Sequence, residues 1–247
     1  MSDTSDSGRN YTVPALDVSL PEARATFETN FFAIVKLTQA FAPLLIAAVT
    51  ANANRSTSSG TSSSSSHHTT APTIVNIGSL AAKMPYVFGS IYNASKAALH
   101  SYSETLAVEL APFGVHVAVI VTGGVKSNIA RTHRELPESS YYRAIEAKYV
   151  ERQTHSQSVG MGNEEYAKSV VDEVLRERSW WEGWWGGRRV VKWVWRGASA
   201  ALVKWVTRFG LTWVVAEKFY RDFGLRELQR WWVAEEMATT TKKKNLA

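Results

Sequence analysis

A tyrosine and a lysine lie four residues apart in the segment 90–99, which reads SIYNASKAAL. At this spacing in a helix, the side chains of Tyr92 and Lys96 share one face. The pKa of a free phenol is about 10, and an ammonium group about 4 Å away at an effective dielectric near 20 can lower it by roughly 3 units. The pair is therefore predicted to act as a general base, or as a general acid in the reverse reaction.

A serine lies thirteen residues before the tyrosine, directly after a short β-branched segment. The hydroxyl of Ser79 at the end of a strand can donate a hydrogen bond to a bound carbonyl, whose oxygen becomes negative during hydride transfer. The spacing of Tyr92 and Lys96 alone is weak evidence, because such pairs occur by chance. The surrounding residues therefore decide the interpretation.

Hydrophobic periodicity predicts an alternation of helices and strands around these residues. A capping-box pattern, Ser19 to Glu22, begins a long helix. The predicted elements are a helix at about 21–49, a strand at 73–77, a helix at about 92–111, a strand at 115–121, and helices at about 139–153 and 163–177. This order predicts an α/β fold with a parallel sheet.

Composition narrows the class of protein. With no cysteine, the chain has neither disulfides nor thiolate metal sites, and we expect it in a reducing compartment, the cytoplasm. Peripheral binding to an endoplasmic reticulum or lipid-droplet surface is expected only through the C-terminal segment 180–215. The polar N-terminus does not resemble a signal peptide, and no 18-residue apolar run predicts a membrane-spanning helix. The net charge is +6, but the cations lie among Val, Ala and Trp, so no nucleic-acid partner is expected.

A tract rich in serine and threonine interrupts the pattern. Twelve of the fifteen residues from Ser56 to Thr70 are Ser or Thr, which predicts a disordered insertion at about 50–71. His67 and His68 are adjacent within it. Solvated loop histidines are the expectation there, and no metal site is predicted.

The segment from Ile74 to Ser127 resembles the catalytic half of the short-chain dehydrogenases/reductases, and the resemblance extends over about 7–178. It implies a Rossmann-like, doubly wound parallel sheet. It also implies that Tyr92 moves a proton, that Lys96 holds the nicotinamide ribose and lowers the tyrosine pKa, and that Ser79 orients the carbonyl. The cofactor implied is NADP, with NAD as the alternative.

Further roles follow from the same resemblance. The segment FETNFFAIVKLTQAFAP is similar to the family's dimer-forming helix, so Asn30 matches its proton-relay asparagine and a homodimer through helices 21–49 and 92–111 is expected. After the second strand, TGGVKS replaces the family's Pro-Gly-x-x-x-Thr. Together with Tyr92 and Lys96, the residues Gly123, Val125 and Ser127 are implied to contact the cofactor.

The family's glycine-rich dinucleotide motif does not occur in the sequence. We therefore expect 1–178 to be a partial domain, truncated at its N-terminal side, whose strand at 73–77 is an exposed apolar edge. Three explanations stay open: missing upstream coding sequence, a decayed and inactive product, or a partner that completes the fold.

The C-terminal part, 179–247, differs in composition. All ten tryptophans lie between Trp180 and Trp232. Four of its cations, Lys192, Arg196, Lys204 and Arg208, are predicted on one face of a helix. Such a segment, 180–215, suits either a membrane interface or the wall of a pocket for a long apolar substrate.

These observations predict an oxidoreductase that interconverts a ketone and a secondary alcohol on an apolar, lipid-like small molecule. Within the family, the sequence is similar to the 1-acyldihydroxyacetone-phosphate reductase group, whose relatives also modify polyketides and terpenoids. The alternative is a catalytically inactive fragment that acts as a membrane-surface or partner-binding module.

Overall fold

The fold is described from a computed structural model, for residues 8–58, 72–126, 133–158, 160–176 and 191–245. The predicted insertion at 50–71 differs in its first part, because a helix continues to Ser58. His67 and His68 lie outside the described residues.

The described residues form one sheet of three parallel strands in the order β1-β2-β3. The strands are β1 (Thr73–Ile77), β2 (His116–Thr122) and β3 (Lys192–Arg196). Five successive side chains of β2, 117–121, are buried, as expected for a central parallel strand covered on both faces. The predicted α/β fold and the first two strands are confirmed.

Helices cover this sheet and extend beyond it. They are α1 (Leu20–Phe27), α2 (Ala33–Ser58), α3 (Ser90–Leu110), α4 (Glu146–Ser158), α5 (Asn163–Leu175), α6 (Ala200–Arg208), α7 (Thr212–Asp222) and α8 (Leu225–Asn245). Helix α3 ends through a turn that closes on Gly114, whose φ of 72° is the left-handed conformation that glycine adopts most easily.

The predicted capping box at the start of α1 is wrong. Ser19 is the residue before the helix, but its side chain makes no capping bond. Its backbone N–H donates to the Tyr11 hydroxyl at 2.9 Å, and Glu22 forms an ion pair with Arg9. In a capping box, the Glu22 carboxylate would accept the Ser19 N–H. Here the Tyr11 hydroxyl accepts that N–H, and Arg9 binds the carboxylate instead.

Helices α1 and α2 are joined by a five-residue π-helical segment, Glu28–Phe32. Although core helices and signal sequences meet the same criteria, the span Leu20–Asn52 is long and apolar enough to cross a membrane, and an 18-residue window within it has a mean hydropathy of 1.9 and is exposed rather than buried. The buried side chains of the whole span include Thr26 and Asn30, and the latter is hydrogen-bonded to other parts of the protein. Leu37, Phe41 and Leu44 are exposed, and the homodimer expected through this helix stays a prediction.

Strand β1 lies at one edge of the sheet, with its outer side facing α2. Val75 and Ile77 are 38% and 44% exposed, and a groove of about 370 Å³ runs between this strand and α2. The expectation of an exposed apolar edge thus agrees with the described residues.

The C-terminal part contributes a strand to the sheet. Lys192 and Arg196, predicted on a helix, lie in β3, which pairs with β2. Trp193 and Trp195 pack against the main core, whereas Trp205 and Trp213 are exposed on α6 and α7. The predicted boundary at 178 therefore falls between two strands of one sheet. The segment Lys192–Arg196 forms a strand because its valine and tryptophan residues favour that conformation.

Replacement of Leu99 by alanine tests the contact between α3 and the sheet. This side chain is fully buried, so Leu99→Ala should lower the free energy of unfolding by about 2–5 kcal/mol in urea denaturation. Val108 on the same helix is 55% exposed, and Val108→Ala should change it by less than about 0.5 kcal/mol. Equal effects of the two substitutions would contradict this packing.

Candidate active site

The site forms where the end of β1 meets the first turns of α3. The backbone N–H of Gly78 donates to the Ile120 carbonyl of β2 at 2.8 Å, which extends the sheet by one residue. Ser79 then turns away from the sheet, and its hydroxyl accepts the N–H of Ala81 at 3.1 Å. The sheet thus presents the serine hydroxyl at its carboxyl edge, where open α/β sheets bind ligands.

Lys96 crosses from α3 to the same edge. Its ammonium group donates to the Ile77 carbonyl at 3.0 Å, and the side chain is only 4% exposed. Burial lowers the pKa of Lys96 from 10.5 to about 8. The lysine is therefore mostly cationic at neutral pH and has two further N–H groups to donate.

Tyr92 and Ser79 interact through their side chains, as the predicted site requires. Burial is the largest influence on the pKa of Tyr92 and raises it above 10, while the bond to Ser79 and the charge of Arg152 lower it. The expected lowering by Lys96 is therefore wrong for this structure, because desolvation of the phenolate exceeds the favourable terms. At neutral pH the phenol is protonated, which is the form that donates a proton.

Asn30 acts on α3 through its amide. It lies in the π-helical segment, is fully buried, and donates both to the Arg9 carbonyl at 2.9 Å and to the Ser95 hydroxyl at 3.1 Å. Ser95 in turn donates to the Tyr92 carbonyl at 2.8 Å. Asn30 is thus linked to the backbone of the tyrosine, and its role in a proton relay stays a prediction.

The structure describes two of the three residues after β2 that are predicted to contact the cofactor. Gly123 lies against the turn after β3, where a Cβ atom would come within 2.1 Å of the Ala198 carbonyl oxygen. Val125 forms a single bridge with Met161, while Ser127 lies outside the described residues. The glycine is required here by contact with the protein itself, so the contacts of these residues with a cofactor stay predictions.

Three residues near the site were not found by sequence reasoning. Tyr166 reaches from α5, where its hydroxyl lies 2.7 Å from that of Thr122, and its charge raises the pKa of Tyr92. Arg152 reaches from α4, and His100 lies two helical turns after Tyr92. Of the three, only His100 could have been found from the sequence, because the spacing of four residues places it on the same helix face as Tyr92 and Lys96.

The residues present fit the nicotinamide side of a dinucleotide. The buried Lys96 ammonium, with one carbonyl partner among the described residues, can donate to ribose hydroxyls, and the side chains of Ser79 and Tyr92 are hydrogen-bonded to each other. No glycine-rich loop that could bind the pyrophosphate occurs in the sequence.

Several known proteins are similar to this chain in sequence. The short chain dehydrogenase family model matches residues 6–137. The chain is 31% identical over 228 residues to the short-chain dehydrogenase virD of Hypocrea virens, covering 91% of this chain and 67% of that protein. It is 30% identical to the NADPH-dependent 1-acyldihydroxyacetone phosphate reductase of Schizosaccharomyces pombe, covering 78% of this chain and 59% of that protein.

Comparison of structures agrees in fold. A short-chain dehydrogenase from Streptomyces avermitilis superposes with a TM-score of 0.55 at 22% identity, over 96% of this chain and 69% of the other. The chain thus spans about two thirds of the length of the first of these relatives and of this structure.

The buried ammonium of Lys96 predicts a pH dependence of stability. Between pH 8 and 10.5 the unfolded chain binds more protons at this lysine than the folded chain, so stability rises with pH. Relative to Lys96→Met, the wild-type free energy of unfolding should gain about 2–3 kcal/mol from pH 7 to 10. Urea denaturation at each pH measures this, and Leu99→Ala, which changes no titratable group, should keep the wild-type slope. Parallel curves for wild type and Lys96→Met would contradict the assignment.

Proposed function

Because the chain belongs to the short-chain dehydrogenase family, we propose that it interconverts a ketone and a secondary alcohol with a nicotinamide cofactor. The observation that carries this proposal is the convergence of Ser79, Tyr92 and Lys96 at the carboxyl edge of the sheet. The protonation state of the phenol at neutral pH suits the reductive direction.

In the reduction, the protein's side chains act on the carbonyl oxygen. Ser79 donates a hydrogen bond to that oxygen and stabilises the negative charge that develops on it. Tyr92 gives its phenolic proton to the oxygen, and the oxidation reverses each transfer. Lys96 would bind the ribose hydroxyls of the cofactor through the N–H groups that the Ile77 carbonyl does not accept. When held there, a reduced nicotinamide would supply the hydride for the carbonyl carbon.

NADP(H) is the cofactor we propose for this chain. The printed name of the Schizosaccharomyces pombe relative specifies NADPH, and this is the support for the choice over NAD. Residues that read the adenosine ribose would belong to the glycine-rich half of the family's fold, which the sequence lacks.

Substitution of Tyr92 by phenylalanine tests the proton transfer. Tyr92→Phe removes the proton and should lower kcat by about 10²–10⁴-fold, measured as NADPH oxidation with a panel of apolar ketones. Tyr102→Phe, on the same helix but packed against Phe31, is the control and should retain wild-type activity. Full activity of Tyr92→Phe would refute the mechanism.

The rival proposal, an inactive fragment, makes a different prediction for cofactor binding. The enzyme should show a saturable change in NADPH fluorescence on titration with the wild-type chain. An unchanged signal would favour the fragment.

We also propose that α6 and α7 contact a membrane surface, which would place the site near a lipid-like substrate and the protein on the endoplasmic reticulum or a lipid droplet. Leu202, Trp205, Phe209 and Trp213 are each more than half exposed. Trp205 and Phe209 stack with their ring centroids 5.9 Å apart. Lys204 and Arg208 are exposed beside these rings. Aromatic side chains flanked by cations favour an anionic lipid interface.

Vesicle sedimentation tests this surface. The wild-type chain should sediment with vesicles of phosphatidylcholine and phosphatidylserine, and less with phosphatidylcholine alone, because its cations attract anionic lipid. The double substitution Trp205→Ser, Trp213→Ser should abolish sedimentation. Phe113→Ser changes a half-exposed aromatic residue on another surface and should retain it. Loss of sedimentation in the Phe113→Ser control as well, or in neither variant, would contradict the proposed membrane surface.

A further inference from the structure

A buried cation lies beside the site without an acidic partner. Arg152 of α4 is only 5% exposed. Its Nε donates to the Val87 carbonyl at 3.0 Å, and its Cζ lies 3.4 Å from the ring centroid of Tyr86. Within the described part of the chain, no carboxylate lies within 4.0 Å of the guanidinium.

A second arginine shows what the usual arrangement is in this protein. Arg134 lies 4.9 Å over the ring of Tyr11, and Glu22 lies 3.6 Å from its guanidinium. Buried charges are normally compensated in this way, because transfer of an unpaired ion from water is costly. Arg152 has the aromatic contact and one carbonyl, but not the negative charge.

The two terminal nitrogens of Arg152 thus have no hydrogen-bond acceptor among the described residues, and the guanidinium is held in one orientation. The bond to Val87 and the contact with Tyr86 hold the plane of the guanidinium. Nη2 lies 3.7 Å from the position that a Cβ atom of Gly89 would occupy. Gly89 directly precedes α3 and is three residues before Tyr92, and the same Cβ position lies 3.1 Å from Asn93 Oδ1, so this nitrogen lies at the start of the helix.

This location belongs to the substrate side of the site. Arg152 Nη2 lies beside Gly89, about one helical turn before Tyr92, and the charge of Arg152 lowers the pKa of Tyr92. The contacts of Arg152 are with the loop before α3 and with Phe223 after α7. Lys96, in contrast, contacts the end of β1, where the sheet would bind the cofactor.

We propose that Arg152 binds an anionic group, a carboxylate or a phosphate monoester, on the substrate that Tyr92 protonates. This inference rests on the proposed function. An oxyanion would accept the free N–H groups and supply the missing negative charge, and two such bonds from a planar guanidinium would orient the molecule. The substrate is then an amphiphile, with an anionic group held by α4 and its carbonyl at Tyr92.

Matched substrates test the proposal kinetically. We expect wild-type kcat/KM to favour a ketone with a carboxylate or phosphate group over its neutral amide or methyl ester by about tenfold to a hundredfold, mainly through KM. Arg152→Gln should remove this preference, and Arg152→Lys should restore part of it. Arg134→Gln changes an arginine that already has an acidic partner and should keep the wild-type ratio. Comparison of the carboxylate with the phosphate identifies which anion is preferred.

Three kinetic outcomes would overturn the proposal. The first is no preference in the wild-type enzyme, which needs no variant to observe. The second is an equal change for charged and neutral ketones in Arg152→Gln with a shifted pH profile, since Arg152 would then act only on the phenol. The third is a raised KM for NADPH with an unchanged preference, since Arg152 would then serve the cofactor.

Binding measurements separate this proposal from the proposed function. Calorimetric titration of the charged ketone and its neutral analogue into Tyr92→Phe requires no turnover. Tighter binding of the charged ketone, lost in Tyr92→Phe, Arg152→Gln, would support the anion site even if the wild-type chain reduced no ketone. Equal binding of both ligands beside normal wild-type turnover would reject the anion site and leave the proposed function intact. Circular dichroism melting of each variant controls for folding.

Discussion

The position of α3 on the end of β1 is the constraint on which the rest of the site depends. The ammonium of Lys96 bonds to the last carbonyl of the strand, and the ring of His100 accepts the N–H of Ser79 at 3.3 Å. No side chain fits at Gly78, where a Cβ atom would lie 2.1 Å from the histidine ring. The helix therefore lies close to the strand end, and this close approach brings the hydroxyls of Ser79 and Tyr92 together.

The same close packing determines the electrostatics. Burial lowers the pKa of His100 to about 3 and that of Lys96 to about 8, and raises that of Tyr92. Each shift favours the neutral form, because a charged group loses water when the helix packs on the sheet. A Coulomb estimate between Tyr92 and Lys96 contains the attraction but omits this loss. That omission explains why the pKa of Tyr92 was expected to be lowered but is raised in the structure.

The C-terminal part combines two roles that composition alone could not separate. Trp193 and Trp195 belong to a strand and pack in the core, whereas Trp205 and Trp213 lie on exposed helices. Phe219 and Phe223 of the same part pack near Tyr86 and so border the residues that surround Arg152. A segment that differs in composition can therefore complete both the sheet and the surroundings of the active site.

Several local features of this protein were predictable from the order of its residues. The β-branched run at 73–77, the helix that contains Tyr92 and Lys96, and the serine after the strand all depend on residues close together in the chain. Long-range packing, in contrast, was needed to establish that Lys192–Arg196 is a strand, that Asn30 bonds to Ser95, and that Arg152 lies buried near Tyr92. The bonds of Asn30 and Arg152 join residues 65 positions apart. Periodicity and short motifs contain no information about such contacts, because burial and partner choice arise only when distant segments pack together.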